Sequence, residues 1–394
     1  MTARGERKET TAMKFLFAPD SFKGSLTAME ITDILDRVVK NHFPGAETVS
    51  VPIADGGEGT TDALLRAMGG QVVRTKVTGP LFEEETAEWG LLGDGKTAVM
   101  EMAQASGLPQ VPPEKRDPRN TTSLGTGEMI KDALERGVRH ILIGLGGSAT
   151  NDGGIGMLSA LGARFTDKAG QPVRPVGGAL ARVADADFSG LLPALKETEI
   201  TVICDVTNPL LGEKGATFTY GPQKGATPEI RDELEAGMAS YARVLERVCG
   251  HSVADMPGAG AAGGLGAALA GVLGGALQSG INAVLDTVKF DEKLQGVDLV
   301  ITGEGRMDWQ SVQFGKVPAG VAKRCAAKGI PCVAIVGGIG PGAEGYFDLC
   351  ESTLMTTVSG PMSLEKAMSD APALYEAAAD RLFRAVKIGM RLKK

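Results

Sequence analysis

Lys14-Phe-Leu-Phe-Ala18 with Pro19-Asp20, and Thr48-Val-Ser-Val-Pro-Ile53 with Ala54-Asp55-Gly56-Gly57, are two apolar runs that each end in an acidic turn. Between them Leu26, Met29, Ile34, Leu35 and Val38 recur at helical spacing behind Ser25, which reads as the N-cap. Thr60–Met68 reads as the next helix. The order βαβα is the signature of a parallel sheet with helices on its faces.

Outward from this opening the style changes. Gln71–Thr78, Thr86–Leu92 and Thr97–Met102 read as strands joined by short Gly-containing turns, which favours antiparallel pairing. Alternation then returns with a helix to Arg136, strands at His140–Ile143 and Glu199–Cys204, and a long amphipathic helix at Ile230–Val248. Near the C-terminus, Val297–Thr302, Cys332–Val336 and Ser352–Val358 read as strands, and Pro318–Lys328 and Ser363–Ile388 as helix. The expected fold is α/β with two α/β domains. One is a doubly wound parallel-sheet domain built from residues 13–72 and 283–394; the other is a mixed α/β domain, residues 73–282, inserted between them. Residues 1–12 are polar and read as a disordered extension rather than a secretory signal.

Composition limits the functional classes. The 55 glycines among 394 residues are about double the ordinary ~7%, which implies many tight turns and close backbone approaches. Forty-one Lys and Arg against 48 Asp and Glu give −7, the wrong sign for a protein whose main partner is nucleic acid. Five cysteines without CxxC spacing indicate neither a zinc site nor a disulfide framework, and a reducing cytoplasm fits. Gly258–Leu277 is uncharged but consists mostly of Gly and Ala, weak drivers of membrane insertion; it reads as a buried helix packed through small residues. No membrane partner is expected, and oligomeric state is left open.

Three glycine patterns invite a nucleotide reading. Gly90-Leu-Leu-Gly-Asp-Gly95-Lys96-Thr97 matches the P-loop expression, but strand-like residues flank it and Asp94-Gly95 signals a hairpin. Gly258-Ala-Gly260-Ala-Ala-Gly263 matches a dinucleotide expression without a strand before it, so tight helix packing is the better reading. The strongest pattern is Gly144-Leu-Gly-Gly-Ser-Ala-Thr-Asn-Asp-Gly-Gly154, between the strand His140–Ile143 and a helix. Such a loop suits phosphate, with Gly144, Gly146, Gly147, Ser148, Thr150, Asn151 and Asp152 as the candidate nucleotide contacts. Gly144, Gly146 and Ala149 also satisfy GxGxxA, so a nicotinamide dehydrogenase of a small hydroxy acid, with Asp167 on the ribose, is an alternative. A non-catalytic sugar-acid sensor is another.

Asp20, Asp55, Asp205 and Glu304 each follow the carboxyl end of an expected strand, where open α/β sheets bind ligands. Converging carboxylates repel one another unless cations intervene, which points to Mg²⁺ with phosphate. Lys23, Lys214, Lys224, Arg306 and Lys316 lie in the same loops and are candidates to neutralise phosphate or a substrate carboxylate.

Six blocks in one order carry a resemblance: Ala18-Pro-Asp-Ser-Phe-Lys-Gly-Ser-Leu-Thr-Ala28, Pro52-Ile-Ala-Asp-Gly-Gly-Glu-Gly-Thr60, Gly144–Gly154, Cys204-Asp-Val-Thr-Asn-Pro-Leu-Leu-Gly212, Gly221-Pro-Gln-Lys-Gly-Ala226 and Thr302-Gly-Glu-Gly-Arg-Met-Asp308. Together they resemble the type-1 glycerate kinase family, from Met13 to the C-terminal helix. One departure is the stretch 309–315 between Asp308 and Lys316, about one residue longer than the family pattern. The resemblance implies a flavodoxin-like domain from both chain ends with an inserted domain, and ATP-dependent phosphorylation of D-glycerate, most often at the 2-hydroxyl; the 3-hydroxyl is the alternative acceptor. On this reading ATP lies on the Gly144–Gly154 loop and Asp205 and Glu304 hold Mg²⁺. Glycerate lies over Asp20, Ser21, Lys23, Gly56, Gly57, Glu58 and Arg306. The catalytic residues are Asp55, Asp205 and Lys23, with Asp55 or Asp205 accepting the hydroxyl proton.

Overall fold

The computed structural model describes residues 12–53 and 59–392. The expectations placed on residues 1–11 of the extension and on Asp55, Gly56, Gly57 and Glu58 lie outside the described residues. The chain divides into two compact units, residues 1–55 with 284–394, and residues 56–283.

The first unit holds a five-stranded, all-parallel sheet. Its spatial order is Glu47–Ser50, Lys14–Pro19, Leu299–Gly303, Cys332–Val336, Ser352–Thr356. Counted along the chain this is 2-1-3-4-5, the flavodoxin-like order. The central strands are continuous apolar runs because both faces are covered. Phe15, Phe17, Leu299, Ile301 and Ile335 meet Ile31 and Leu35 of the helix Ala28–His42 and Tyr375 and Phe383 of the helix Ala371–Leu392. The helix Val317–Lys328 covers the other face. The first helix starts two residues later than expected: Thr27, not Ser25, is its N-cap. The Glu30 amide donates to Thr27 Oγ1 (3.2 Å) while the Glu30 carboxylate accepts from the Thr27 amide (2.8 Å), a reciprocal box that outcompetes a lone serine. The Ser25 hydroxyl instead donates to the Phe22 carbonyl and closes the preceding turn.

The second unit holds a six-stranded mixed sheet in the order Ala276–Gln278, Glu199–Ile203, His140–Gly144, Thr97–Glu101, Glu84–Leu92, Gly70–Thr78. Its first four strands are parallel and its last two antiparallel. The helix Thr60–Met68, which the sequence reading placed with the N-terminal strands, packs on Glu84–Leu92 and Thr97–Glu101. Gly90 permits this, since a Cβ there would stand 3.0 Å from Thr61 and 3.1 Å from Leu65. The P-loop look-alike is a hairpin: Asp94 Oδ1 accepts from the amides of Lys96 and Thr97 (both 2.9 Å), and Gly95 takes φ +67°.

The Gly/Ala segment is not one regular helix. Ala262, Gly263 and Gly264 are left-handed, with φ of 51°, 67° and 93°, and separate a short helical start from a π-turn stretch over Ala267–Val272. The break lets backbone meet backbone, because a Cβ on Gly263 would lie 2.0 Å from the Thr150 carbonyl oxygen. Among the described residues no helix is long and apolar enough to cross a membrane.

Candidate active site

In the first unit, adjacent parallel strands deliver two carboxylates to the same sheet edge. Pro19 pairs with Gly303, the Asp20 amide donates to the Gly303 carbonyl at 2.9 Å, and Asp20 and Glu304 therefore follow side by side. Gly303 has to be glycine, as a Cβ would lie 2.0 Å from the Ile335 carbonyl oxygen. Both acids are buried, with 8% and 6% of their surface exposed. Burial pushes the Glu304 carboxyl up to about 7; the nearby Asp20 and Asp308 charges add to this, and the Ser311 hydroxyl and Lys316 ammonium oppose it. Glu304 Oε1 is buried without a hydrogen-bond partner. Asp20 Oδ1 accepts from the Ser21 amide at 2.7 Å.

Around these acids opens a cavity of about 660 Å³ whose charged lining is Asp20, Lys23, Glu304, Arg306 and Lys316, with Ser21 on its wall. Arg306 stands 3.7 Å from Asp308, which caps the one-turn helix Trp309–Gln313 by accepting from the Gln310 amide. In that helix Trp309 donates its amide to the Pro341 carbonyl and sets its half-exposed ring 5.8 Å from that of Phe314. Four residues expected around substrate or metal, Asp20, Ser21, Lys23 and Arg306, thus share one cavity with Glu304.

In the second unit the Gly144–Gly154 loop follows its strand as expected, but its side chains face inward. Only Gly146 and Gly147 of the loop are exposed. Asp152 is wholly buried and accepts from the Ser123 amide and hydroxyl (both 2.8 Å) and from the amides of Gly154 (3.1 Å) and Gly156 (3.3 Å). Burial pushes its carboxyl up, and these four donors pull it back. Asp152 is a keystone tying the loop to its neighbours, not a surface ligand. Asn151 donates to Thr217 Oγ1 at 3.2 Å; Thr150 Oγ1 and Asn151 Oδ1 are buried without hydrogen-bond partners. The residue that sequence reasoning undervalued is Lys224, treated there as one of five loop cations. It is fully buried and donates to Ser148 Oγ (2.9 Å) and to the Thr150 carbonyl (2.5 Å). Desolvation drives its ammonium down to about 7, with Asp152 opposing. The signal was Lys224 inside a Gly-Pro-Gln-Lys-Gly turn, a backbone too constrained to be mere solvent-facing loop.

Asp205 is exposed after the strand Glu199–Ile203, and its Oδ1 accepts from the Gly280 amide at 2.9 Å. It belongs to the second unit and Glu304 to the first. Among the described residues no group of three or more His, Cys, Asp or Glu side chains is arranged to hold a metal. The dehydrogenase alternative fails on Asp167. Its carboxylate closes a local turn, accepting from the amides of Ala169 (2.9 Å) and Gln171 (3.0 Å), and pairs with Arg182. The preceding strand Arg164–Thr166 joins a separate two-stranded ribbon with Asp185–Asp187, so the acid is not on a strand beside the glycine loop.

The pattern of the Glycerate kinase family matches residues 15–387. The chain belongs to the glycerate kinase family. It is an enzyme of the kinase class, which removes the sensor alternative. It is 46% identical over 376 residues to a glycerate kinase of Bacillus subtilis strain 168, covering 95% of this chain and 98% of that one. A protein of Escherichia coli K12 named glycerate 2-kinase is 51% identical over 327 residues, 83% of this chain and 86% of the other. A crystal structure of a protein assigned as glycerate kinase 2 of Salmonella typhimurium LT2 superposes with a TM-score of 0.87 at 43% identity, covering 97% of this chain and all of that one.

Proposed function

We propose that this enzyme transfers the terminal phosphoryl group of ATP to the 2-hydroxyl of D-glycerate, giving 2-phosphoglycerate and ADP. The observation that carries the reading is the first-unit cavity. Lys23, Arg306 and Lys316 converge there with two buried carboxylates at the carboxyl edge of a parallel sheet. Phosphoryl transfer needs charge neutralisation and positioning more than covalent chemistry, and this set supplies both. The 51% identity to a protein named glycerate 2-kinase supports the 2-hydroxyl as acceptor.

The donor set fits Mg²⁺ on one count: Glu304 Oε1 is a buried carboxylate oxygen without a hydrogen-bond partner, a position a hard cation satisfies. When bound, the ion neutralises phosphate charge. Lys23 and Arg306 pair the anionic groups of the reactants, and Lys316 adds charge from the start of its helix. In the second unit Asp205 is our proposed acceptor of the hydroxyl proton; Asp55, the other acid proposed for that step, lies outside the described residues. In the transfer the O2–phosphorus bond forms, the bond from the terminal phosphorus to the bridging oxygen breaks, and the hydroxyl proton passes to the carboxylate. Incubation of the purified enzyme with D-glycerate and MgATP should release ADP and give a product whose phosphorus NMR signal is split into a doublet by the single proton on C2. A triplet from the two protons on C3 instead would move the acceptor to the 3-hydroxyl, and no ADP would refute the reading.

A further inference from the structure

Asp205 lies in a stretch, residues 204–215, that forms neither helix nor strand, and it is exposed. A carboxylate that must meet a reacting proton within a fraction of an ångström needs support from outside such backbone. One tether is its own bond from the Gly280 amide at 2.9 Å. A second is Asn208, whose side-chain amide is used at both ends. Its Oδ1 accepts from the Tyr220 hydroxyl (2.7 Å), and its Nδ2 donates to the Lys214 carbonyl (2.7 Å) and to Thr219 Oγ1 (3.4 Å). Its backbone carbonyl accepts from the Gly260 amide at 3.0 Å. Burial holds the Tyr220 phenol above its ordinary range, with the Cys204 charge adding to this, so it stays a donor at neutral pH.

Two neighbouring segments hold this loop and the Gly144–Gly154 loop on one frame. The first is the Gly258-x-Gly260-x-x-Gly263 pattern, where backbone meets backbone. A Cβ would lie 3.3 Å from the Val206 carbonyl oxygen at Gly258, 2.2 Å from that of Pro209 at Gly260, and 2.0 Å from that of Thr150 at Gly263. The second is the helix Ala216–Tyr220. Its Thr217 Oγ1 accepts from Asn151 Nδ2 of the glycine loop (3.2 Å), while Thr219 and Tyr220 hold Asn208. We propose that Asn208, braced by Tyr220, is the positioning residue that aims the Asp205 carboxylate at the substrate hydroxyl. The inference rests on the reading of Asp205 as proton acceptor and names what keeps that acid in place. Asn208 is only half-buried, where water would satisfy the same amide, so its bonds add little to folding. What they fix is the path of the loop.

The test is a double-mutant cycle on the intact enzyme with D-glycerate and MgATP, read as the single-turnover rate of phosphoryl transfer and the steady-state KM. Tyr220→Phe removes one hydroxyl, and Asn208→Asp turns the Nδ2 donor into an acceptor facing the Lys214 carbonyl. The transfer rate should fall about tenfold in Tyr220→Phe and about a hundredfold in Asn208→Asp, while the KM for D-glycerate and the urea midpoint hold. In an Asp205→Asn background the same substitutions should cost nothing further, because groups that act through one carboxylate are not additive. If Asn208→Asp fails to fold by circular dichroism, Tyr220→Phe completes the cycle alone. An unchanged rate in the folded variants, equal losses in both backgrounds, or a raised KM with the rate intact would each overturn the assignment. Near-normal transfer in Asp205→Asn by itself would refute the proton-acceptor reading, and the inference with it.

Discussion

Replacing Lys224 by Met tests whether a lysine with no carboxylate bonded to it is really buried at the heart of the glycine loop. Its ammonium titrates at about 7 in the folded protein against an ordinary 10.5, a gap worth on the order of 5 kcal/mol. The sign follows from proton counting. Below pH 7 the lysine is charged in both states and folding bears the whole desolvation penalty. Between about 7 and 10.5 the unfolded chain binds a proton that the folded one does not, so stability rises with pH. Lys224→Met removes this titration and leaves Ser148 Oγ and the Thr150 carbonyl without their donor. Urea unfolding of both proteins at pH 6.5 and pH 9 cancels the other titrating groups. The stability advantage of wild type over the variant should widen by roughly 2–3 kcal/mol at the higher pH. A difference that stays constant between the two pH values would show that the lysine is not desolvated and would refute the inward-facing loop.

Asp205→Asn should lower kcat by about a thousandfold with little change in urea midpoint, since the side chain is exposed and its replacement isosteric; near-normal turnover would remove it from the mechanism. Glu304→Gln should raise the Mg²⁺ concentration for half-maximal rate about tenfold or more, read from initial rates at fixed ATP. Gly263→Ala should cost about 2–4 kcal/mol in urea unfolding, as it places a Cβ against the Thr150 carbonyl at positive φ.

The parts legible in the sequence are those fixed by local pattern. Cys332–Val336 and Thr60–Met68 run between the same residues in the structure as in the sequence reading, because an apolar run or a helical period is bounded by its own turn residues. The parallel sheet followed from acidic turns after Lys14–Ala18 and Thr48–Ile53. What a helix packs on is not in its periodicity, so Thr60–Met68 was read with the strands before it when Gly90 had opened a seat on the other sheet. The left-handed break at Ala262–Gly264 is held by contact with Thr150, some hundred residues away, and looks locally like an ordinary small-residue helix. Burial misled the site reading in the same way. Asp152, Thr150 and Asn151 have the composition of a ligand loop, but direction is a tertiary property, and all three point into the second unit. Asp20, Lys23, Glu304 and Arg306 were legible together because strand order alone puts them on one edge.

The reaction itself is tested most directly by supplying D-glycerate and MgATP and coupling the product straight to enolase, with no phosphoglycerate mutase present. A glycerate 2-kinase makes the compound enolase consumes, so phosphoenolpyruvate should appear in step with ADP. ADP release without phosphoenolpyruvate would contradict transfer to the 2-hydroxyl, and absence of both would contradict the kinase reaction on this substrate.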